Sequence, residues 1–202
     1  MGVDLSVTEA PVAVGSVALS VEQMSLFTAL LALVAVAIAA AVFALGVTAA
    51  GRLRLRGMRA DMIRLAFSVT AVSTAASLWF SEVGGFVPCQ LCWYQRIAMY
   101  PLVVVLGVAA WRGDPDPRWR VLPFSVVGLV VSAYHYQLQL FPEQGSSCDL
   151  AAPCTRQWVD QFGFVSIPFM AFCGFAVITA LVLAAGAADH DMTPSTREDA
   201  RA

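Results

Sequence analysis

Apolar residues run along this chain in five long blocks, at about 25 to 50, 62 to 82, 93 to 111, 121 to 141 and 163 to 186. Short segments holding most of the charge separate them. A helix needs about 20 apolar residues to cross roughly 30 Å of hydrocarbon, and each block is long enough to do so. The first, LFTALLALVAVAIAAAVFALGV, is almost entirely Ala, Val and Leu, whereas the other four carry Ser, Thr, Tyr, Trp, His or Cys among their apolar positions. Polar groups in lipid find partners on neighbouring helices, so the four mixed blocks are expected to pack together around a site. The first block is too long for the apolar region of a signal peptide. Residues 1 to 23 contain Asp4, Glu9 and Glu22 but no basic residue, so it reads as a retained anchor.

The pattern therefore predicts an all-α membrane protein, a four-helix transmembrane bundle with an additional N-terminal transmembrane helix and five spans in all. Its expected segments are an outward tail at 1–24, the extra helix at 25–50, a cytoplasmic loop at 51–61, the four-helix core at 62–186 and a cytoplasmic tail at 187–202. Composition agrees: 59% of the 202 residues are hydrophobic and 13% charged, and the mean hydropathy is +0.73. Those values lie outside the range of a soluble globular domain. The net charge of -2 says nothing about a nucleic-acid partner.

Arginine sets the expected orientation, because short cytoplasmic loops are enriched in it. Arg52, Arg54, Arg56 and Arg59 crowd the first connection, Arg112, Arg118 and Arg120 the third, and Arg197 and Arg201 the tail. The alternate segments hold only Arg156, which predicts an outside N-terminus and an inside C-terminus. On that topology Cys89 and Cys92 lie in one outward connection and Cys148 and Cys154 in the next. Cys173 falls within the last span, as a packed small residue, and Arg64 flanks the inner surface.

Two cysteine pairs facing an oxidising exterior have three readings: inert staples, a four-thiolate metal site or a thiol–disulfide relay. Cys148 and Cys154 could close a small stapled loop. A bond across Cys89-Gln90-Leu91-Cys92 would close a very small ring with little loop entropy to remove, and that spacing recurs in redox-active proteins. Zinc is disfavoured by the five residues between Cys148 and Cys154 and by the lack of a loop histidine. Trp93 stands where a c-type haem attachment needs histidine. For the relay, Cys92 lies at the edge of the third span, where helix N–H groups stabilise a thiolate.

Arg96, four residues on, shares the Cys92 face about 6 Å deeper. Its bland reading is a side chain snorkelling to the interface, as Trp93 and Tyr94 read as belt residues. His135 lies at a similar depth in the fourth span. Ionisable residues inside a membrane are expensive, and the matching depths predict one pocket holding both. Repeated reoxidation of the thiols requires an acceptor. With no haem, flavin or dinucleotide motif present, a membrane quinone, ubiquinone or menaquinone, fits that requirement, with Arg96 or His135 at a carbonyl.

CQLCWYQR at 89–96, HYQLQLFP at 135–142 and CTRQWVDQFGFVSIPFM at 154–170 together resemble the DsbB family of disulfide bond formation proteins, over roughly residues 60 to 186. The short spacing from Cys148 to Cys154 resembles the compact members called BdbC. The resemblance implies a membrane thiol oxidase. A reduced, extracytoplasmic thioredoxin-like (DsbA-like) partner would attack Cys148, Cys154 would pass electrons to Cys89, and Cys92 would deliver them to quinone beside Arg96 and His135. Gln95 replaces an acidic residue found in some members, and the first helix departs from the family pattern. A vitamin K epoxide reductase-like relay and a non-enzymatic, disulfide-stapled scaffold are the competing readings.

Overall fold

The computed structural model describes residues 20–114, 116–144, 148 and 152–190. These form α1 (Val21–Val47), α2 (Ala49–Gly57), α3 (Arg59–Glu82), α4 (Gln90–Arg112), α5 (Arg118–Leu140) and α6 (Ile167–His190), with a 3-10 turn at Pro142–Gln144. The only β-type pairing among the described residues is an isolated bridge between Gln161 and Val165. Five helices, all but α2, are long and apolar enough to cross a membrane. Most of the expected outward N-terminal tail and cytoplasmic C-terminal tail, with Arg197 and Arg201, lies outside the described residues.

Two boundaries differ from the sequence expectation, each for a local reason. The first block breaks at Thr48, whose backbone is extended and whose side chain accepts the Gly51 N–H to start a new helix. The segment expected as a cytoplasmic loop at 51–61 is therefore mostly the arginine-rich α2 and the first turn of α3. Glycine is required at this corner, since a Cβ on Gly51 would lie 2.1 Å from the Leu45 carbonyl oxygen. The last span begins at Ile167 instead of 163, because Phe162 (φ 60°) and Gly163 (φ 77°) turn the chain and the Gln161–Val165 bridge closes that turn.

Helices α3, α4, α5 and α6 pack in a closed ring, each against the next and α6 back against α3, while α1 lies outside the ring along α6. The ring is filled by Leu102 and Leu106 from α4, Val121 from α5, and Phe175, Ile178, Leu181 and Val182 from α6. Close approach depends on small residues, as expected where lipid supplies no hydrophobic drive between helices. Gly128 of α5 meets the Phe175 ring, where a Cβ would sit 2.2 Å from ring carbons. Along α1 the buried positions are Ser25, Thr28, Ala29, Ala32 and Ala35. Several buried hydroxyls bond within their own helices, Ser132 to the Gly128 carbonyl and Thr70 to that of Phe67, whereas the Thr74 and Ser166 hydroxyls have no hydrogen-bond partner among the described residues.

Because the ring is antiparallel, the C-terminal ends of α3 and α5 meet the N-terminal ends of α4 and α6. All four loop cysteines gather there, and the arginine-rich connections gather at the opposite end. At that opposite end Arg64 pairs with Asp61 at 3.3 Å, both well exposed, and Arg118 pairs with Asp116 at 2.8 Å. Cys173 is fully buried in the ring core, the packed position expected of it.

Candidate functional site

Cys89 caps α4. Its backbone is extended and its sulfur accepts the N–H of Cys92 at 3.4 Å. The helix N-terminus thus acts on Cys89, one turn earlier than the Cys92 assignment expected from the sequence, because the helix starts at Gln90. The two sulfurs are 3.0 Å apart and unbonded, while Cys148 and Cys154 form a disulfide. Cys89, Leu91, Leu138 and Cys154 make one buried apolar cluster, with Cys92 and Cys148 packed at its edge. The fold therefore brings together two pairs that are far apart in sequence.

His135 joins them. Its Nε2 lies 3.0 Å from the Cys154 carbonyl oxygen and 3.6 Å from the Cys89 sulfur, and its Nδ1 is 2.9 Å from Nε2 of the buried Gln95. A carbonyl only accepts, so Nε2 carries the proton and Nδ1 accepts from the Gln95 amide. Cys89, Cys92 and His135 have donor atoms within 4.8 Å of one another, the spacing of a metal site. Both ring nitrogens are engaged, however, so the histidine has no lone pair directed at a metal.

The Cys92 thiol, hydrogen-bonded to the Cys89 sulfur, is the largest influence lowering the Cys89 pKa, and His135 acts in the same direction. Against the opposing effect of burial they hold it at about 4, well below the ordinary 9.0. The thiolate is then the form present at neutral pH. In reduced protein, alkylation of Cys89 by a small electrophile should stay level from neutral pH downward and lose half its rate only near a pH of about 4. His135→Ala should move that midpoint upward. Rates that already fall through the ordinary thiol range in the parent protein would contradict this environment.

Arg96 does not share a pocket with His135. Successive helix residues diverge by about 100°, so Gln95 faces α5 and His135 while Arg96 faces α3. Arg96 Nε donates to the Ser77 hydroxyl at 3.0 Å and Nη2 to the Ser77 carbonyl at 2.9 Å, with the guanidinium carbon 5.3 Å from the Trp93 ring centroid. Tyr100 reaches the same Ser77 hydroxyl at 3.5 Å. On this side lies a cavity of about 320 Å³, bordered by Cys92, Arg96, Ser77, Tyr100 and Phe80 and otherwise mostly apolar. His135 borders instead a cleft of about 20 Å³ shared with Cys89, Cys92, Gln139 and Arg156. Cys92 is the cysteine that borders both.

Trp93 and Tyr94 are about half exposed, as belt residues are. Ser77, Tyr100 and the contact made by Gln95 were not read from the sequence. A signal for Ser77 existed: Ser73, Ser77 and Ser81 recur every four residues along α3, and all three border the cavity.

A sequence model described as disulfide bond formation protein DsbB matches residues 59–187. The probable disulfide formation protein C 2 of Bacillus cereus is 41% identical over 121 residues, 59% of this chain and 87% of that protein. The probable disulfide formation protein of Oceanobacillus iheyensis is 46% identical over 126 residues, 61% of this chain and 87% of its own length. Disulfide bond formation protein C of Bacillus subtilis is 43% identical over 112 residues, 54% of this chain and 81% of that protein. No solved structure matches the chain.

Proposed function

The chain belongs to the disulfide bond formation protein DsbB family, and from this premise we propose that it is a membrane thiol oxidase. It reoxidises an extracytoplasmic thioredoxin-like dithiol protein and passes the electrons to a membrane quinone. The observation that carries the reading is the order of the cysteines from surface to cavity. Cys148 is half-buried in the loop, Cys154 (2% exposed) and Cys89 (6%) are buried side by side in one cluster, and Cys92 borders the cavity.

Each exchange moves one thiolate. The partner's thiolate attacks the Cys148 sulfur, the Cys148–Cys154 bond breaks and Cys154 leaves as a thiolate. When Cys89 and Cys92 are joined, Cys154 attacks Cys89 and Cys92 becomes the leaving thiolate. The partner's second thiol then attacks the mixed disulfide at the partner's own sulfur, so the partner departs oxidised and Cys148 leaves as a thiolate. Cys148 in turn attacks Cys154, which restores the loop disulfide, releases Cys89 and leaves Cys89 and Cys92 both reduced. His135 holds the Cys154 backbone against Cys89 and places a proton donor beside that sulfur. A Cys89 thiolate held near a pKa of about 4 stabilises the reduced pair, which makes the corresponding disulfide a stronger oxidant. That stabilisation is complete above the ordinary thiol pKa and fades as pH falls through the lowered one.

The cavity fits a quinone. Its walls are mostly apolar with a line of serines along α3, and Arg96, Ser77 and Tyr100 lie at the Cys92 end, where Arg96 would hold a carbonyl with N–H groups beyond the two committed to Ser77. When bound there, a quinone supplies an acceptor for two electrons and two protons. The test is turnover: purified protein supplied with a reduced thioredoxin-like protein and ubiquinone or menaquinone should reduce one quinone for each partner disulfide formed. If the partner is oxidised while neither quinone is reduced, the acceptor assignment fails.

A further inference from the structure

Helix α1 lies wholly before residue 59, where the family match begins, yet it borders the cavity. Thr28, Leu31, Ala32, Val34, Ala35 and Ile38 line it, opposite a wall of α3 running from Leu65 to Ser81. At 1.5 Å per residue those walls are about 15 Å and about 24 Å long, so the cavity is a slot running down the bundle. Arg96, Ser77 and Tyr100 lie at the cysteine end, and the deep end, near Leu65 and Ile38, is apolar apart from Ser68, whose hydroxyl donates to the Arg64 carbonyl of its own helix. α1 and α3 both pack on α6, and the slot fills the space between them.

Two features fix α1 at this distance. Its small face, with Ala29, Ala32 and Ala35 buried, lies on α6. Near the cysteine end Ser25 Oγ accepts from Gln161 Nε2 at 2.8 Å, tying the helix to the turn that precedes α6. Thr28 therefore sits at the level of the polar groups and Ile38 farther down, toward the membrane interior.

We propose that α1 is the tail-binding wall of the quinone site: it encloses the apolar chain of the acceptor while Arg96 and Ser77 engage the ring, and so makes the site selective for long-tailed quinones. This rests on the quinone reading above. It gives the appended helix a role in substrate choice that the four-helix ring cannot supply on that side.

The experiment has two arms. In the first, Val34→Phe, at a lining position outside the buried face that packs on α6, projects a ring into the slot below the head-group end, and kcat/KM is measured for a benzoquinone with a long alkyl tail and for its tail-less analogue. The ratio of the two should fall by roughly tenfold or more, the scale at which apolar pockets discriminate added carbons. An equal fall for both, as from general misfolding, or no fall at all, overturns the proposal. In the second arm, a benzoquinone bearing an alkyl tail with a diazirine at its far end is photolysed with the parent protein, and the labelled peptides are mapped. Label on α1 supports the wall. Label confined to α3, α4 or α6 overturns it and leaves the quinone reading standing, whereas no label together with no quinone reduction defeats that reading and the proposal with it.

Discussion

Cys154→Ala should abolish quinone reduction by reduced partner and accumulate a covalent adduct between Cys148 and the exported thioredoxin-like protein. The expectation follows from which sulfur each participant can reach. Cys148 lies at the edge of the thiol cluster and is half-buried, whereas Cys154 is buried against Cys89 with its carbonyl held by His135. A protein partner can therefore engage the first and is kept from the second. With Cys154 gone, electrons have no route from the loop to Cys89, so steady-state turnover should drop to background. Cys148 remains as a thiol that attacks the oxidised partner's disulfide, forming one S–S bond and breaking one. Non-reducing electrophoresis should show the adduct, its loss on reduction, and its absence when Cys148 is also replaced by Ala. If cells holding both proteins show no adduct, the loop disulfide is a staple and the relay reading is lost.

The fold was legible because lipid makes spans conspicuous. Block length and composition located all five, and the collinear cysteine, histidine and glutamine segments identified the ring. What escaped was local or tertiary. A single threonine at 48 ends α1, which hydropathy averaged over a span cannot register, and the Phe162–Gly163 turn delays α6. Equal depth suggested that Arg96 and His135 share a pocket, but depth fixes only the coordinate along a helix. The rotation between positions 95 and 96 sends Gln95 toward His135 and Arg96 toward Ser77. The helix start likewise decided which cysteine receives the α4 N-terminus, and a shift of one turn moved that role from Cys92 to Cys89. The contribution of α1 to the cavity could not be read at all, since its lining face is as apolar as its lipid face.

Arg96→Met should lower kcat for quinone reduction by about 10²–10³-fold, the usual effect of removing a positioned donor from a site where negative charge develops. The bland alternative is a side chain that only snorkels, in which case Met would serve nearly as well and kcat would change little. Geometry argues against it. A snorkelling guanidinium extends toward water, but this one is half-buried, makes two hydrogen bonds to Ser77 across the helix interface and borders the cavity beside Cys92. Charge alone does not account for the arrangement, because a lysine ammonium is a point charge without the planar fork that can span the Ser77 hydroxyl and carbonyl together. Arg96→Lys should accordingly recover only part of the lost kcat. Loss of helix packing is separated from loss of the donor by the cysteine chemistry: Arg96→Met combined with Cys154→Ala should still form the partner adduct through Cys148, since that sulfur lies in the other cluster. Loss of the adduct in the double variant means that the fold is lost, while the adduct in the double variant together with parental kcat in Arg96→Met alone would reduce Arg96 to an interfacial anchor. With the adduct kept and kcat reduced, the defect lies at the Cys92 end of the relay, where the thiol faces its acceptor.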